Sequence, residues 1–320
     1  LKDGGTYLIT GGLGELGALY AQYLLEHYNA SVILVGRTPL EEKEARFQEL
    51  KNKGTVLYHQ ANSSDLEGMT QIVEEVEQQF GKIDGVIHAA GITSGTSVKG
   101  VALITPEDSA IQFDAKVKGT QVLEKIFTAR ALDFCLLVSS LSTILGGKEF
   151  GAYAAANTYL DYIAQKRTIK NAIAVNYDAL SFKDSSVEGL YMNPSEIIEV
   201  LEKALSLEDV SQVLVSVGDL NERLEKWVRQ LQKTETKQDV MINLDRSRIS
   251  TTFVAPDTET EKQISELFET FFGIKEVGMD DDFFELGGDS LKGMTLSQRI
   301  IKSMDVEISL HELFNNPTIR

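Results

Sequence analysis

Cysteine is all but missing from this chain: Cys135 stands alone among 320 residues, which excludes an internal disulfide and leads us to expect a reducing, cytoplasmic setting. The four histidines, His27, His59, His88 and His311, are too scattered to form a ligand set, so no metal is expected. Long apolar runs are missing as well. The best stretch, Phe134 to Val138, is the length of a strand and far short of the roughly 20 residues that cross a bilayer, so no membrane partner is expected. Proline is scarce (5) and glycine ordinary (25), which excludes collagen-like and low-complexity architectures. Positive charge is also in deficit: 31 bases against 48 acids leave a net charge of −17. Such a field repels phosphate backbones, and nucleic acid is not expected as a partner. The opening Leu1-Lys2-Asp3 lacks the order of basic, apolar and small residues that marks a secretory leader. We expect a piece of a longer polypeptide.

What is present is an alternation. Short β-branched runs at Thr6–Thr10, Ser31–Val35, Val56–Gln60, Gly85–His88, Phe134–Ser139, Ala172–Asn176 and Val213–Val217 are separated by segments of helical period. The order β-α-β throughout predicts an α/β fold, a doubly wound parallel sheet of Rossmann type. Asp219 to Gln232 reads as one further helix, with Leu220, Leu224, Trp227, Val228 and Leu231 on one face, and Lys233–Asp239 and Arg246–Thr252 read as linker. A new helix is predicted from Thr258-Glu-Thr-Glu261, a capping-box spacing, to Gly273, with Ile264, Leu267, Phe268, Phe271 and Phe272 on its apolar face. Further apolar sets follow at Leu291, Met294, Ile300, Ile301, Leu310, Leu313 and Phe314. The expected organisation is therefore residues 1–217 as nucleotide-binding domain, 218–257 as helix and linker, and 258–320 as a small helical bundle. Val254 to Arg320 carries 14 acids and 6 bases, an acidity suited to basic partner surfaces.

Thr10-Gly11-Gly12-Leu13-Gly14-Glu15-Leu16-Gly17 ends the first predicted strand and opens the first helix, the context in which a glycine-rich turn cradles a dinucleotide pyrophosphate. Gly12 and Gly14 are assigned to backbone approach and Gly17 to helix–strand packing. The second strand ends in Gly36-Arg37-Thr38, with Arg37 where an NAD site usually carries a carboxylate for the ribose 2′-hydroxyl. A guanidinium suits a 2′-phosphate, so NADPH is favoured over NADH. Asn62-Ser63 follow the third strand and suit the adenine edge; Ala89-Ala90-Gly91 follow the fourth and are small enough to lie along the cofactor.

Hydride transfer to a ketone requires a proton donor for the developing alkoxide, and Tyr153 is the candidate. Its phenol must fall from about 10 toward neutrality, for which a nearby ammonium is the usual device. Ser140, at the end of the fifth strand, is placed to hold the carbonyl oxygen. Thr10–Gly17, Ala89–Gly91, Ser139-Ser140 and Tyr153-Ala-Ala-Ala-Asn157 together resemble a short-chain dehydrogenase/reductase, with Asn157 where most of that superfamily has lysine. The sequence is most similar to the ketoreductase domains of modular polyketide and nonribosomal peptide synthetases, in which lysine and asparagine exchange places. That resemblance implies that Lys116, in Lys116-Val-Lys-Gly119, supplies the ammonium to Tyr153. The family's stereochemical marks are absent: Ile92-Thr-Ser-Gly95 follows Gly91, and Leu145 stands eight residues before Tyr153. The family's upstream structural subdomain is expected to precede these residues, which begin at the first predicted strand.

Asp280-Asp-Asp-Phe-Phe-Glu-Leu-Gly-Gly-Asp-Ser290-Leu291 places Ser290 before an amphipathic helix. Local physics makes it an N-cap. In context, Phe283 to Leu291 resembles a thiolation (peptidyl carrier) domain, which implies covalent 4′-phosphopantetheine on Ser290 and a tethered acyl thioester. The Gly-Gly-Asp-Ser form and Phe253-Val-Ala-Pro256 resemble peptide synthetase carriers. The resemblances together imply NADPH-dependent reduction of a carrier-bound ketoacyl group, 2-ketoacyl in a depsipeptide synthetase, with 3-ketoacyl reduction in a polyketide module or a non-catalytic scaffold as alternatives. Implied partners are a phosphopantetheinyl transferase and neighbouring adenylation, condensation or ketosynthase domains.

Overall fold

The computed structural model describes residues 1–92, 101, 104–147, 150–182, 191–229, 251–288, 290–304, 306, 308, 312–313 and 316–320. Thr93–Gly95, Leu231, the linker 233–239, residues 246–250, Asp289, Leu310 and Phe314, all used in the sequence reading, lie outside them, as do the side chains of Ser290, Leu291 and Met294. The chain divides into two compact units, Leu1–Leu231 and Gln232–Arg320.

The first unit is built on β1 (Thr6–Thr10), β2 (Ser31–Gly36), β3 (Thr55–Gln60), β4 (Gly85–His88), β5 (Phe134–Ser140) and β6 (Ala172–Tyr177). Two short strands, β7 (Ala179–Leu180) and β8 (Tyr191–Met192), pair with each other, and β9 (Gln212–Leu214) closes the main sheet. The main sheet runs β3-β2-β1-β4-β5-β6-β9, every pairing parallel. Its strands are apolar on both faces because both are covered. Tyr7, Ile9, Val32 and Leu34 pack against α1 (Glu15–Tyr28), α2 (Glu44–Lys51) and α8 (Pro194–Ser206). Leu8, Ile33, Val35 and Leu137 pack on the other side against α3 (Leu66–Phe80), α5 (Gly119–Phe127) and α7 (Gly151–Lys166). The strand order reverses between β1 and β4, which opens a crevice at the carboxyl ends of the strands.

The seventh strand differs from its expectation. It pairs from Gln212 to Leu214, Val215 N still donates to Asn176 O at 3.1 Å, and the chain then turns off the sheet, with the Asp178 carboxylate accepting from Val217 N at 3.0 Å. Asp178 also takes a two-pronged ion pair from Arg223, on which Trp227 stacks. The single helix predicted from Asp219 is instead a short α9 (Leu220–Arg223) continuing as a π-helical turn, Leu224–Arg229. Val228, assigned to its apolar face, is exposed.

In the second unit, α10 (Glu259–Phe272) starts at the predicted capping box, where the Thr258 hydroxyl accepts from Glu261 N and the Glu261 carboxylate accepts from Thr258 N. It ends at Gly273 in the left-handed conformation (φ 68°). Phe268, Phe272, Phe283, Leu286, Leu296, Ile300 and Leu313 form its core, with α11 (Ser290–Met304) contributing two of them; Ile301 is exposed rather than buried.

Candidate active site

The glycine turn follows from sterics. Gly11 has φ 70°, and a Cβ on it would lie 2.8 Å from the Ala89 carbonyl oxygen; a Cβ on Gly17 would lie 2.4 Å from the Gly11 oxygen. Only glycine at both positions lets α1 sit on the turn at the end of β1. Gly12 differs from its expected role: its Cβ direction points at Leu34, not at the crevice, so it serves packing on β2. Gly14 is the N-cap of α1 and offers no side-chain acceptor, so the first N–H groups of the helix are left for an anion. The Arg46 guanidinium secures the turn by donating to Leu13 O at 3.1 Å.

A cleft of roughly 280 Å³ lies over this turn. Of the residues assigned to a dinucleotide, Gly11, Leu13 and Gly14 line its floor, Gly36, Arg37 and Thr38 one end, and Ser63, Ala89, Ala90 and Gly91 the remaining wall. Thr10 is buried beneath it, its hydroxyl 2.6 Å from His88 Nδ1; Leu16 and Gly17 pack behind the turn. Asn62 is spent elsewhere. Its amide donates to Asp114 at 2.9 Å and its oxygen accepts from Ser64 N, and Ala61 stands at the wall in its place. Lys43 and Tyr58, which the sequence reading did not single out, also line the cleft, and the Tyr58 hydroxyl donates to Thr38 O. The described lining thus holds two cations, Arg37 and Lys43, and no carboxylate. That set fits a dinucleotide with an additional phosphate on its adenosine ribose.

The candidate catalytic residues do not line this cleft; Lys116 lies directly behind its Gly91 wall. Lys116 sits in a π-helical turn, Asp114–Lys118, between α4 (Pro106–Phe113) and α5, a local widening that recurs at functional sites. Its side chain is 3% exposed, an uncommon fate for lysine. Nζ donates to Val138 O on β5 at 2.8 Å and lies 5.9 Å from the centre of the Tyr153 ring. A Cβ on Gly91 would be 2.9 Å from Lys116 Cε, so the cleft wall rests directly on the amine's stem. Burial lowers Lys116 to about 8, and the charge of Asp161 opposes that fall.

Tyr153 and Asn157 lie one turn apart on α7, with Asn157 Nδ2 donating to Tyr153 O at 2.8 Å. The Tyr153 phenol touches the side chains of Ser140 and Asn157. Ser140 Oγ accepts from Ser142 N at 3.1 Å, at the start of α6 (Ser142–Leu145), which fixes the hydroxyl at the end of β5. The phenol was expected below its ordinary value; the structure places it above, because burial outweighs the hydrogen bonds that favour its anion. A raised value keeps the phenol protonated at neutral pH, the state a proton donor needs.

In the second unit, Ser290 is the first residue of α11, and Gly287 before it has φ 89°. Among the described residues, no helix is long and apolar enough to cross a membrane.

A family model described as KR domain matches residues 5–182, and one described as phosphopantetheine attachment site matches residues 262–320. Polyketide synthase PksM of Bacillus subtilis (strain 168) is 28% identical over 345 residues, covering 100% of this chain and 8% of that protein. Polyketide synthase PksN of the same organism is 36% identical over 171 residues, covering 52% of this chain and 3% of that protein. The chain therefore spans a small fraction of the curated relatives it matches. Among solved structures, an N-terminal ketoreductase from a macrolactin assembly line superposes with a TM-score of 0.63 at 30% identity, covering 71% of this chain and 47% of that one. The ketoreductase-containing structure of a keto acid-selecting nonribosomal peptide synthetase module superposes with a TM-score of 0.62 at 22% identity, covering 75% and 21%; at that identity it shares the fold alone.

Proposed function

Because the chain belongs to the KR-domain family of short-chain dehydrogenase/reductase-type ketoreductases and carries a phosphopantetheine attachment domain, we propose that it reduces a carrier-tethered ketoacyl thioester to the hydroxyacyl thioester. The observation that carries this reading is the meeting of a buried amine, a phenol and a hydroxyl, with the amine directly behind the Gly91 wall of a cleft that holds two cations. Arg37 and Lys43 would hold the 2′-phosphate of NADPH, and the uncapped N–H groups at the start of α1 would hold its pyrophosphate. Bound there, NADPH supplies the hydride to the carbonyl carbon.

The protein's own groups handle the oxygen. Ser140 donates a hydrogen bond to the carbonyl, polarising it. Tyr153 gives up its phenolic proton as negative charge grows on that oxygen. The Lys116 ammonium stabilises the phenolate that remains, and Asn157 holds the backbone of Tyr153 while lying on the route by which the proton returns. Ser290 carries the 4′-phosphopantetheine arm, whose thiol tethers the acyl chain and raises its effective concentration at any site it reaches. A phosphopantetheinyl transferase and neighbouring synthase domains are the partners this requires.

For the ketone we place the 3-ketoacyl group first, since the relatives aligned over the whole chain are described as polyketide synthases. The Gly287-Gly288-Asp289-Ser290 form favours the 2-ketoacyl group as a second reading. Paired assays of NADPH oxidation with 3-ketoacyl and 2-ketoacyl N-acetylcysteamine thioesters separate them. Consumption with neither substrate overturns the reductase and leaves a carrier with a catalytically silent scaffold.

A further inference from the structure

Three residues of α7 share one face at intervals of four: Tyr153, Asn157 and Asp161. The first two were legible in the sequence; Asp161 has no role in the scheme above. It is 5% exposed, a rare position for a carboxylate unless partnered. Its Oδ2 accepts from Asn176 Nδ2 on β6 at 2.9 Å. That amide cannot turn round, because Gln212 Nε2 donates to Asn176 Oδ1 at 3.0 Å and Gln165 in turn holds Gln212. The Asn176 NH2 group has two hydrogens and faces four oxygens: Asp161 Oδ2, Ser139 Oγ (3.0 Å), Thr143 Oγ1 (2.9 Å) and Ser140 O (3.2 Å). The Thr143 hydroxyl hydrogen is thereby available to the carboxylate, while the Ser139 hydroxyl, also against it, reaches Asn157 O at 3.4 Å as well.

This nest borders the amine's acceptor on β5, and the carboxylate acts on the ammonium through space, not through a direct ion pair. Lys116 Nζ donates to Val138 O, and the next residue along β5 is Ser139. We propose that Asp161 is a positioning residue for the reduction: its buried carboxylate, oriented by Asn176, Ser139 and Thr143, keeps the Lys116 amine charged beneath Tyr153.

The other groups facing that amine do not supply the charge. His88 on β4 is neutral, held to about 3 by burial and by Lys116 itself. Tyr153 is a protonated phenol, and Val138 offers only a carbonyl. Asp114, on the same π-helical turn, is engaged by Asn62, Ser64 and Lys118. Asp108 on α4 closes the capping box of that helix. Burial and Asp161 therefore act on Lys116 in opposite senses: burial favours the neutral amine, the carboxylate the ammonium. Removing the carboxylate lets the amine lose its proton at lower pH.

This inference rests on the ketoreductase reading of the site, and its test distinguishes the two. The near-isosteric Asp161→Asn retains an acceptor for Asn176. In full-length protein labelled with 13C-lysine, with the Lys116 Cε signal assigned by its loss in Lys116→Met, wild type is expected to titrate near 8 and Asp161→Asn about one pH unit lower. The basic limb of the kcat profile for ketoacyl thioester reduction moves by the same amount, whereas a purely structural role lowers kcat equally at every pH. An unchanged Lys116 midpoint in folded Asp161→Asn overturns the proposal. Should that variant not fold, wild type alone decides: coupling requires a second, acid-side step in the Lys116 signal as Asp161 protonates, and its absence is the refuting result. A wild type that consumes no NADPH defeats the reductase reading while leaving the titration intact as a judge of the pair.

Discussion

Replacing Lys116 by methionine is expected to abolish reduction and yet to stabilise the fold. An amine held at about 8 instead of its ordinary 10.5 costs the folded state about 3 kcal/mol wherever folded and unfolded chains are both protonated, at about 1.4 kcal/mol per pH unit. Methionine has similar length, fills the same space and carries no charge to desolvate. Against this stands the hydrogen bond to Val138 O, whose loss leaves a buried carbonyl unpaired at about 1–2 kcal/mol. The net expectation is that Lys116→Met gains about 1–2 kcal/mol at pH 7. The sign of the pH dependence follows from a depressed folded-state value on a base. The penalty is full below pH 8, declines as the folded protein sheds its proton between about 8 and 10.5, and has vanished above. The variant's advantage therefore disappears, or reverses, by about pH 10. Urea unfolding followed through Trp227, the single tryptophan and part of the first unit, reads this directly. A variant less stable than wild type by the same amount at pH 7 and pH 10 refutes the reasoning.

Arg37→Ala and Lys43→Ala each remove one cation from the cleft, and each is expected to raise the KM for NADPH about ten- to a hundredfold while leaving that for NADH nearly unchanged; equal losses with both cofactors contradict the 2′-phosphate assignment. Gly17→Ala drives a Cβ to 2.4 Å from the Gly11 oxygen. It should cost about 1–3 kcal/mol in unfolding and weaken NADPH binding in a fluorescence titration. Incubation with coenzyme A and a phosphopantetheinyl transferase should add one phosphopantetheine to wild type by intact mass and none to Ser290→Ala; a gain that survives the substitution removes the carrier assignment.

Much of this architecture is written in local pattern. β1 and β4 begin and end where the apolar runs do, and α10 starts at its capping box and stops at Gly273. The glycine turn and Arg37 are equally local, because a strand, a turn and a helix start fit within a dozen residues. What the sequence hides is decided at long range. Asn62 has the right chemistry for an adenine edge, but Asp114, 52 residues on, claims its amide. Val217 ends a run of strand composition, but the Asp178 carboxylate takes its backbone N–H. Lys43 lies in a run of glutamates with nothing to distinguish it, and Tyr58 is one more aromatic in a strand. The burial of Lys116 depends on a π-helical turn that no residue type announces, so its place beside Tyr153 was legible only through resemblance. Asp161 reads as an ordinary helix acid until β6 supplies Asn176.

The central claim is that Tyr153 delivers the proton. Initial rates of NADPH oxidation with a ketoacyl thioester, compared between wild type and Tyr153→Phe at equal cofactor saturation, test it most directly. The phenylalanine keeps the ring and removes the hydroxyl, so kcat should fall by about 10²- to 10⁴-fold with NADPH binding intact. A variant that turns over at the wild-type rate contradicts the account.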